Sequence, residues 1–213
     1  MSDFLLFLEI LGTISFAVSG AIKAIHKKMD VLGVCILGLI TAVGGGILRD
    51  LILGNTPPSS FVNPRPCIIA VSTSIVIFLP FVRKFLSLHK RGYELCLLIT
   101  DTIGLAVFSV IGVRLAWAGF NNNLFLLVFV GVITGVGGGM IRDILANSVP
   151  DIFVKYFYAS ASIIGVIVCS LLYNPLGETL AMIIGMIIIV LLRFLAAKFR
   201  WKLPVSIDND PNL

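Results

Sequence analysis

Two stretches of this 213-residue sequence place the same residues in apolar surroundings: "TAVGGGILRD" at 41–50 and "TGVGGGMIRD" at 134–143. Each sets an Arg-Asp pair, Arg49 with Asp50 and Arg142 with Asp143, just after a glycine triplet, with a threonine, Thr41 or Thr134, ahead of it. A charge inside a bilayer costs at least ~2.5 kcal/mol on insertion scales, so such a residue marks a functional position by default. The chemistry open to these groups is to line or gate a solute pathway, to anchor a carboxylate, or to clasp one helix to another.

The triplets Gly44, Gly45, Gly46 and Gly137, Gly138, Gly139 are costly in a helix interior, at roughly 1 kcal/mol per glycine relative to alanine, and they admit backbone angles that other residues resist. They predict a bend or unwinding. Carbonyls freed there must face protein or a water-filled cavity, since unsatisfied backbone groups in lipid cost several kcal/mol. Thr41 and Thr134 can offer hydroxyls to an ion or bond back to their own helix. Sequence neighbours point about 100° apart on a helix. The expected pairing is therefore across the two motifs, Arg49 with Asp143 and Arg142 with Asp50. The competing reading is a purely structural clasp, with the glycines serving close helix packing.

Other chemistry is missing from the pattern. There is no Ser-His-Asp set, nucleophile elbow or GxxxxGK phosphate loop, so an enzyme is not expected. Cys35, Cys67, Cys96 and Cys169 lie in or beside apolar segments without metal-ligand spacing, and His26 and His89 lie among lysines; neither a metal site nor a disulfide is expected.

The elements that must position these residues are membrane spans. The chain is 58% hydrophobic and only 13% charged, against roughly 25% charged in soluble domains. A hydrocarbon core of ~30 Å takes roughly 20 apolar residues per helix, and seven runs emerge: 4–24, 31–53, 67–82, 94–118, 124–146, 156–173 and 179–198, the third of them short. The linkers are too small to hold a soluble domain, which leaves one transmembrane domain over 1–204 and a polar tail at 205–213. The first run begins "MSDF", without the basic start of a secretory signal, and reads as a retained helix.

An internal repeat organises the runs. Residues 38–57 fall on 131–150 at a shift of 93, matching the glycines, Ile-Thr, Arg-Asp and a proline. Upstream, at a shift of 92, Glu9 falls on Asp101, Gly12 on Gly104, Phe16 on Phe108, Gly20 on Gly112 and Ala24 on Ala116. Repeat one spans about 4–82, repeat two about 94–173, and the seventh helix, about 179–198, stands alone. Three spans per repeat make the second copy enter from the opposite side. The expected fold is thus an all-α integral membrane protein of two inverted three-helix repeats plus a seventh helix, a plan that points to a solute pathway near the midplane.

The remaining charges have two readings each. Glu9 and Asp101 could bind a cation or cap the arginines across the bundle; Arg114 could sense voltage or snorkel to the interface, and Lys23 and Arg193 are expected to snorkel. Lys27, Lys28, Arg83, Lys84, Lys90, Arg91, Lys155, Lys198, Arg200 and Lys202 all fall on one side, against Arg65 on the other. The positive-inside rule then puts the amino terminus outside and the carboxyl terminus in the cytoplasm of a multi-pass inner (plasma) membrane protein. Trp201, Tyr93 and Tyr156 near one boundary, and Trp117 and Tyr173 near the other, fit aromatic belts. The formal net charge of +5 is spread over short loops, so the partner is the lipid bilayer and not nucleic acid.

"FAVSGAIKAIHKKMDVLG", "GLITAVGGGILRD", "DTIGLAVFSVIG", "GVITGVGGGMIRD" and "RFLAAKFRWKLP" together resemble the prokaryotic branch of the trimeric intracellular cation (TRIC) channel family, whose bacterial members are often labelled as having a glycine transporter domain. The likeness covers about residues 4–204. It implies a homotrimer in which each subunit has its own pore between the repeats, flanked by kinked second and fifth helices and passing monovalent cations, chiefly potassium. Carried over, the kinks fall at Gly44 to Gly46 and Gly137 to Gly139, with Arg49, Asp50, Arg142 and Asp143 beside the pathway. Animal members regulate their pores with a phosphoinositide and a basic residue of the fourth helix; Arg114 lies in the fourth run here, without a clear lipid motif. No cofactor is implied beyond the permeating potassium ion and a bound lipid. Two function classes stand: a passive channel, or a secondary transporter of a small zwitterion such as glycine, its carboxylate on Arg49 or Arg142. A scaffold without flux fits the repeated glycines poorly.

Overall fold

A computed structural model describes residues 3–82, 90–121, 123–154, 157–199 and 201, and among these all regular structure is helical. Outside them lie the tail at 205–213, His89, Tyr156 and the basic residues Arg83, Lys84, Lys155, Arg200 and Lys202.

Among the described residues the helices include α1 (Asp3–His26), α2 (Val31–Ile52), α3 (Ser59–Val62), α4 (Arg65–Phe78), α5 (Lys90–Phe120), α6 (Leu124–Leu145), α7 (Asp151–Val154), α8 (Tyr158–Leu176) and α9 (Glu178–Phe199). Six of them, all but α3, α4 and α7, are long and apolar enough to cross a membrane. The third sequence run yields only the 14-residue α4, which spans about 21 Å at 1.5 Å per residue.

Caps fix the boundaries of the two glycine-bearing helices. Asp30 Oδ1 accepts from Gly33 N at 2.7 Å at the start of α2, and Asn123 Oδ1 from Leu126 N at 3.0 Å at the start of α6. At their ends the chain turns through left-handed residues at matched positions, Gly54 (φ 75°) and Asn147 (φ 47°), the residue types that tolerate this geometry best. Each turn leads into a four-residue helix, α3 or α7.

The bundle exposes apolar residues such as Phe7, Leu32, Ile68 and Phe125, and buries hydroxyls and charges such as Thr13, Ser19, Asp101 and Arg142 alongside an apolar core that includes Phe16, Leu105 and Ile189. Close packing depends on glycines at matched positions. A Cβ at Gly20 would lie 2.7 Å from the Leu37 carbonyl oxygen of α2, and one at Gly112 would lie 2.9 Å from Gly131 Cα of α6. Between α5 and α8, Ser109 Oγ and Ser162 Oγ share a buried hydrogen bond of 2.8 Å. Trp117 stacks on Tyr173 at 4.3 Å, and the four cysteines are free thiols, Cys169 buried and the others partly so.

Candidate functional site

The glycine triplets meet face to face, where α2 crosses α6. A Cβ at Gly45 would lie 2.1 Å from the Thr134 carbonyl oxygen, and one at Gly138 would lie 2.1 Å from that of Thr41. Gly137, likewise, would place a Cβ 3.2 Å from Gly45 Cα. Of the expected bend or unwinding, the unwinding does not occur: both helices run through their triplets, and Gly44, Gly45 and Gly137 to Gly139 are buried. Missing side chains here bring two backbones together. Thr41 and Thr134 follow the local option, each hydroxyl donating at 2.6 Å to its own helix, to Leu37 O and Val130 O.

The expected cross-motif pairing is also corrected. Arg49 Nε donates to Asp50 Oδ1 at 2.8 Å, and Arg142 Nε to Asp143 Oδ1 at 2.9 Å. The long guanidinium arm bends back over the 100° that separates neighbours, and the second carboxylate oxygen is committed elsewhere. Asp50 Oδ2 accepts from Ser59 N at 2.8 Å and from Ser59 Oγ at 2.6 Å. Asp143 Oδ2 accepts from Asp151 N at 3.0 Å. Each aspartate thus ties the glycine helix to the first residue of the short helix that follows it.

From this shared plan the two clusters diverge. Arg142 is fully buried and donates to Ser19 Oγ of α1 and, at 2.7 Å, to Asp101 Oδ1 of α5. Asp101, only 2% exposed, also faces Arg193 Nη2 of α9 at 3.7 Å, and the Arg193 guanidinium lies 4.4 Å from the Tyr158 ring centre. Lys23 Nζ stands 3.3 Å from Asp143 Oδ1. Lys23 and Arg193 are therefore buried partners, not snorkelling ones, since carboxylates within the bundle offer a nearer counter-charge than the interface does. Arg49 adds a 3.3 Å bond to Ser59 Oγ, while Glu9, the counterpart of Asp101, is half-buried. Arg114 pairs with Glu178 of α9 at 2.8 Å, both partly exposed.

Two cavities open at opposite ends of α1 and α5. One, of about 660 Å³, is lined by Lys23, Lys27, Glu94, Asp101, Asp151 and Arg193. The other, of about 220 Å³, is lined by Glu9, Arg49, Ser59, Asn63, Phe108 and Arg114. Of the residues singled out from sequence, Glu9, Arg49 and Arg114 share the small cavity and Asp101 lies in the large one. Asp50, Asp143 and Arg142 stand behind them as supports. Ser59 and Asp151 are missed by sequence reasoning, yet the matched "PPSS" and "VPDI" after each motif, at the shift of 92, could have revealed them.

Comparison with known proteins agrees with this architecture. A family described as Glycine transporter matches residues 6–81 and again 98–174. The inner membrane protein YadS of Escherichia coli K12 is 40% identical over 206 residues, 95% of this chain and 97% of YadS. A solved structure described under conductance through TRIC cation channels shares 40% identity at a TM-score of 0.84, covering 97% of this chain and 98% of its own. A prokaryotic TRIC channel crystallised in 0.5 M KCl shares 31% at a TM-score of 0.87, covering 95% and 100%. These relatives are membrane proteins and channels, not enzymes, and this chain is a membrane protein that belongs to the prokaryotic TRIC channel family.

Proposed function

We propose that the protein is a monovalent cation channel, chiefly for potassium, in the cell inner membrane, with one pore inside each subunit of a homotrimer. The observation that carries this reading is the pair of charged cavities at opposite ends of α1 and α5, both lined by residues of these two helices. An inverted-repeat plan supports the same path: the matched residues Glu9 and Asp101 each sit in one of the cavities. In this proposal α4, extended by the residues after it, is a short third span, and the chain has seven. The amino terminus lies outside, so the Glu9 cavity is the outer mouth and the Asp101 cavity the cytoplasmic one. Arg49 lines the outer mouth; the glycine triplets hold the walls together and are not themselves the pore lining.

One observation favours the second reading, a carrier of a small zwitterion: the large cavity presents cations (Lys23, Arg193) and carboxylates (Asp101, Asp151) together. Proteoliposomes separate the two. A channel passes rubidium down its gradient at rates indifferent to glycine, whereas a carrier exchanges labelled glycine and passes little rubidium.

A further inference from the structure

Phe16 and Phe108 occupy matched positions of the two repeats and meet at the centre of the subunit, their ring centres 5.3 Å apart. Both are buried. Each ring takes the space that a side chain on the opposite repeat's first helix would fill. A Cβ at Gly104 would lie 2.1 Å from Phe16 Cδ1, and one at Gly12 would lie 3.1 Å from Phe108 Cε2. The Phe16 ring also reaches the glycine crossing, where a Cβ at Gly138 would stand 3.6 Å from its Cδ2.

The rings stand between the two cavities. Phe108 lines the small one with Ile111, Asp101 lines the large one, and the stretch of α5 between them covers only about 10 Å at 1.5 Å per residue. On α1 the small cavity is lined at Glu9 and the large one at Lys23, with Phe16 midway. Two packed phenyl rings offer no group to replace an ion's hydration shell, and hydrophobic constrictions gate by dewetting.

We propose that the Phe16–Phe108 ring pair is the hydrophobic barrier between the two mouths, and that cations cross only when the rings part. This rests on the channel reading above. Position explains the matched glycines: a side chain at Gly12 or Gly104 would collide with the facing ring.

The test uses the full chain in proteoliposomes and planar bilayers with Phe16→Ala, Phe108→Ala and the milder Phe16→Leu and Phe108→Leu. Alanine variants are expected to raise cation flux severalfold without moving the reversal potential, and leucine variants to fall between them and the parent. As a readout independent of conduction, Leu98→Cys, placed in the large cavity of a chain freed of its native cysteines, should react with an impermeant cationic thiol reagent added from the Glu9 side only when a ring is removed. Folded variants with parental flux and an unreactive Cys at 98 would overturn the barrier while leaving the channel reading intact. If the reagent passes but no variant conducts cations, the barrier holds and the channel reading fails. Should the alanine variants not fold, the leucine variants decide by the same criteria.

Discussion

The carbonyl oxygen of Thr134 stands where a Cβ of Gly45 would be, 2.1 Å from it, and the carbonyl oxygen of Thr41 stands in the same relation to Gly138. Backbone cannot step aside as a flexible side chain can, so Gly45→Ala or Gly138→Ala must push α2 and α6 apart. Overpacking of this kind costs about 1–3 kcal/mol. Gly46 belongs to the same triplet, but a Cβ there meets nothing nearer than Arg49 Nη2 at 3.6 Å. Gly46→Ala should therefore leave thermal melting of the detergent-solubilised protein at or above the parental value, alanine being the better helix former, while the other two lower it clearly. Equal losses at all three would show that backbone freedom, not helix approach, is what the triplet supplies.

Asp101 and Glu9 hold matched positions but should respond in opposite ways to loss of charge. Asp101 is the buried counter-ion of Arg142 at 2.7 Å and of Arg193 at 3.7 Å. Breaking a buried pair by removing one partner costs about 3–5 kcal/mol, so Asp101→Asn should melt early or fail to accumulate. Glu9 is half-buried in the small cavity. Glu9→Gln should fold, with a loss of at most about 1 kcal/mol, and should lower the cation current drawn from that side. Melting curves that fall together would contradict this division.

Because each arginine bonds to the aspartate beside it, exchanging charges between motifs should rescue nothing. Arg49→Asp with Asp143→Arg removes two bonded pairs, sets a second carboxylate beside Asp50 and leaves Asp151 N without its own. The double variant should accumulate no better than the worse single one. Recovery of a monodisperse species, followed by size-exclusion chromatography, would restore the cross-motif pairing.

Ser59 joins the first cluster through two atoms, and substitutions separate them. Ser59→Ala loses the hydroxyl bonds to Asp50 at 2.6 Å and from Arg49 at 3.3 Å but keeps the backbone bond to Asp50 at 2.8 Å. Its expected cost is about 1 kcal/mol. Proline is well tolerated in the first turn of a helix, so any extra loss in Ser59→Pro reports the missing N–H. Melting temperatures ordered parent, alanine, proline are expected, and an alanine variant as damaged as the proline one would show that the hydroxyl carries the whole contact.

Much of the architecture could be read from the chain because lipid forces its hand: apolar runs of about 20 residues have few fates in a bilayer. The matched Arg-Asp motifs and the Glu9/Asp101 and Phe16/Phe108 correspondences were legible as repeat arithmetic. What the sequence could not settle was which of two uses a glycine serves. Gly45 costs the same helix propensity whether it frees a carbonyl or admits one, and only the position of Thr134 distinguishes them. Nor could it say where a long side chain turns. Lys23 and Arg193, close to helix ends, looked bound for the interface, yet Asp143 and Asp101 from distant segments draw them inward.

Whether the two charged cavities are mouths of one cation path is decided by recording the purified full chain in a planar bilayer under a potassium gradient. For such a path, discrete unitary currents are expected that reverse near the potassium equilibrium potential and do not change when glycine is added to one side. Electrical silence, together with counterflow of labelled glycine in liposomes of the same preparation, would contradict it and make the charged cavities a carrier's substrate sites.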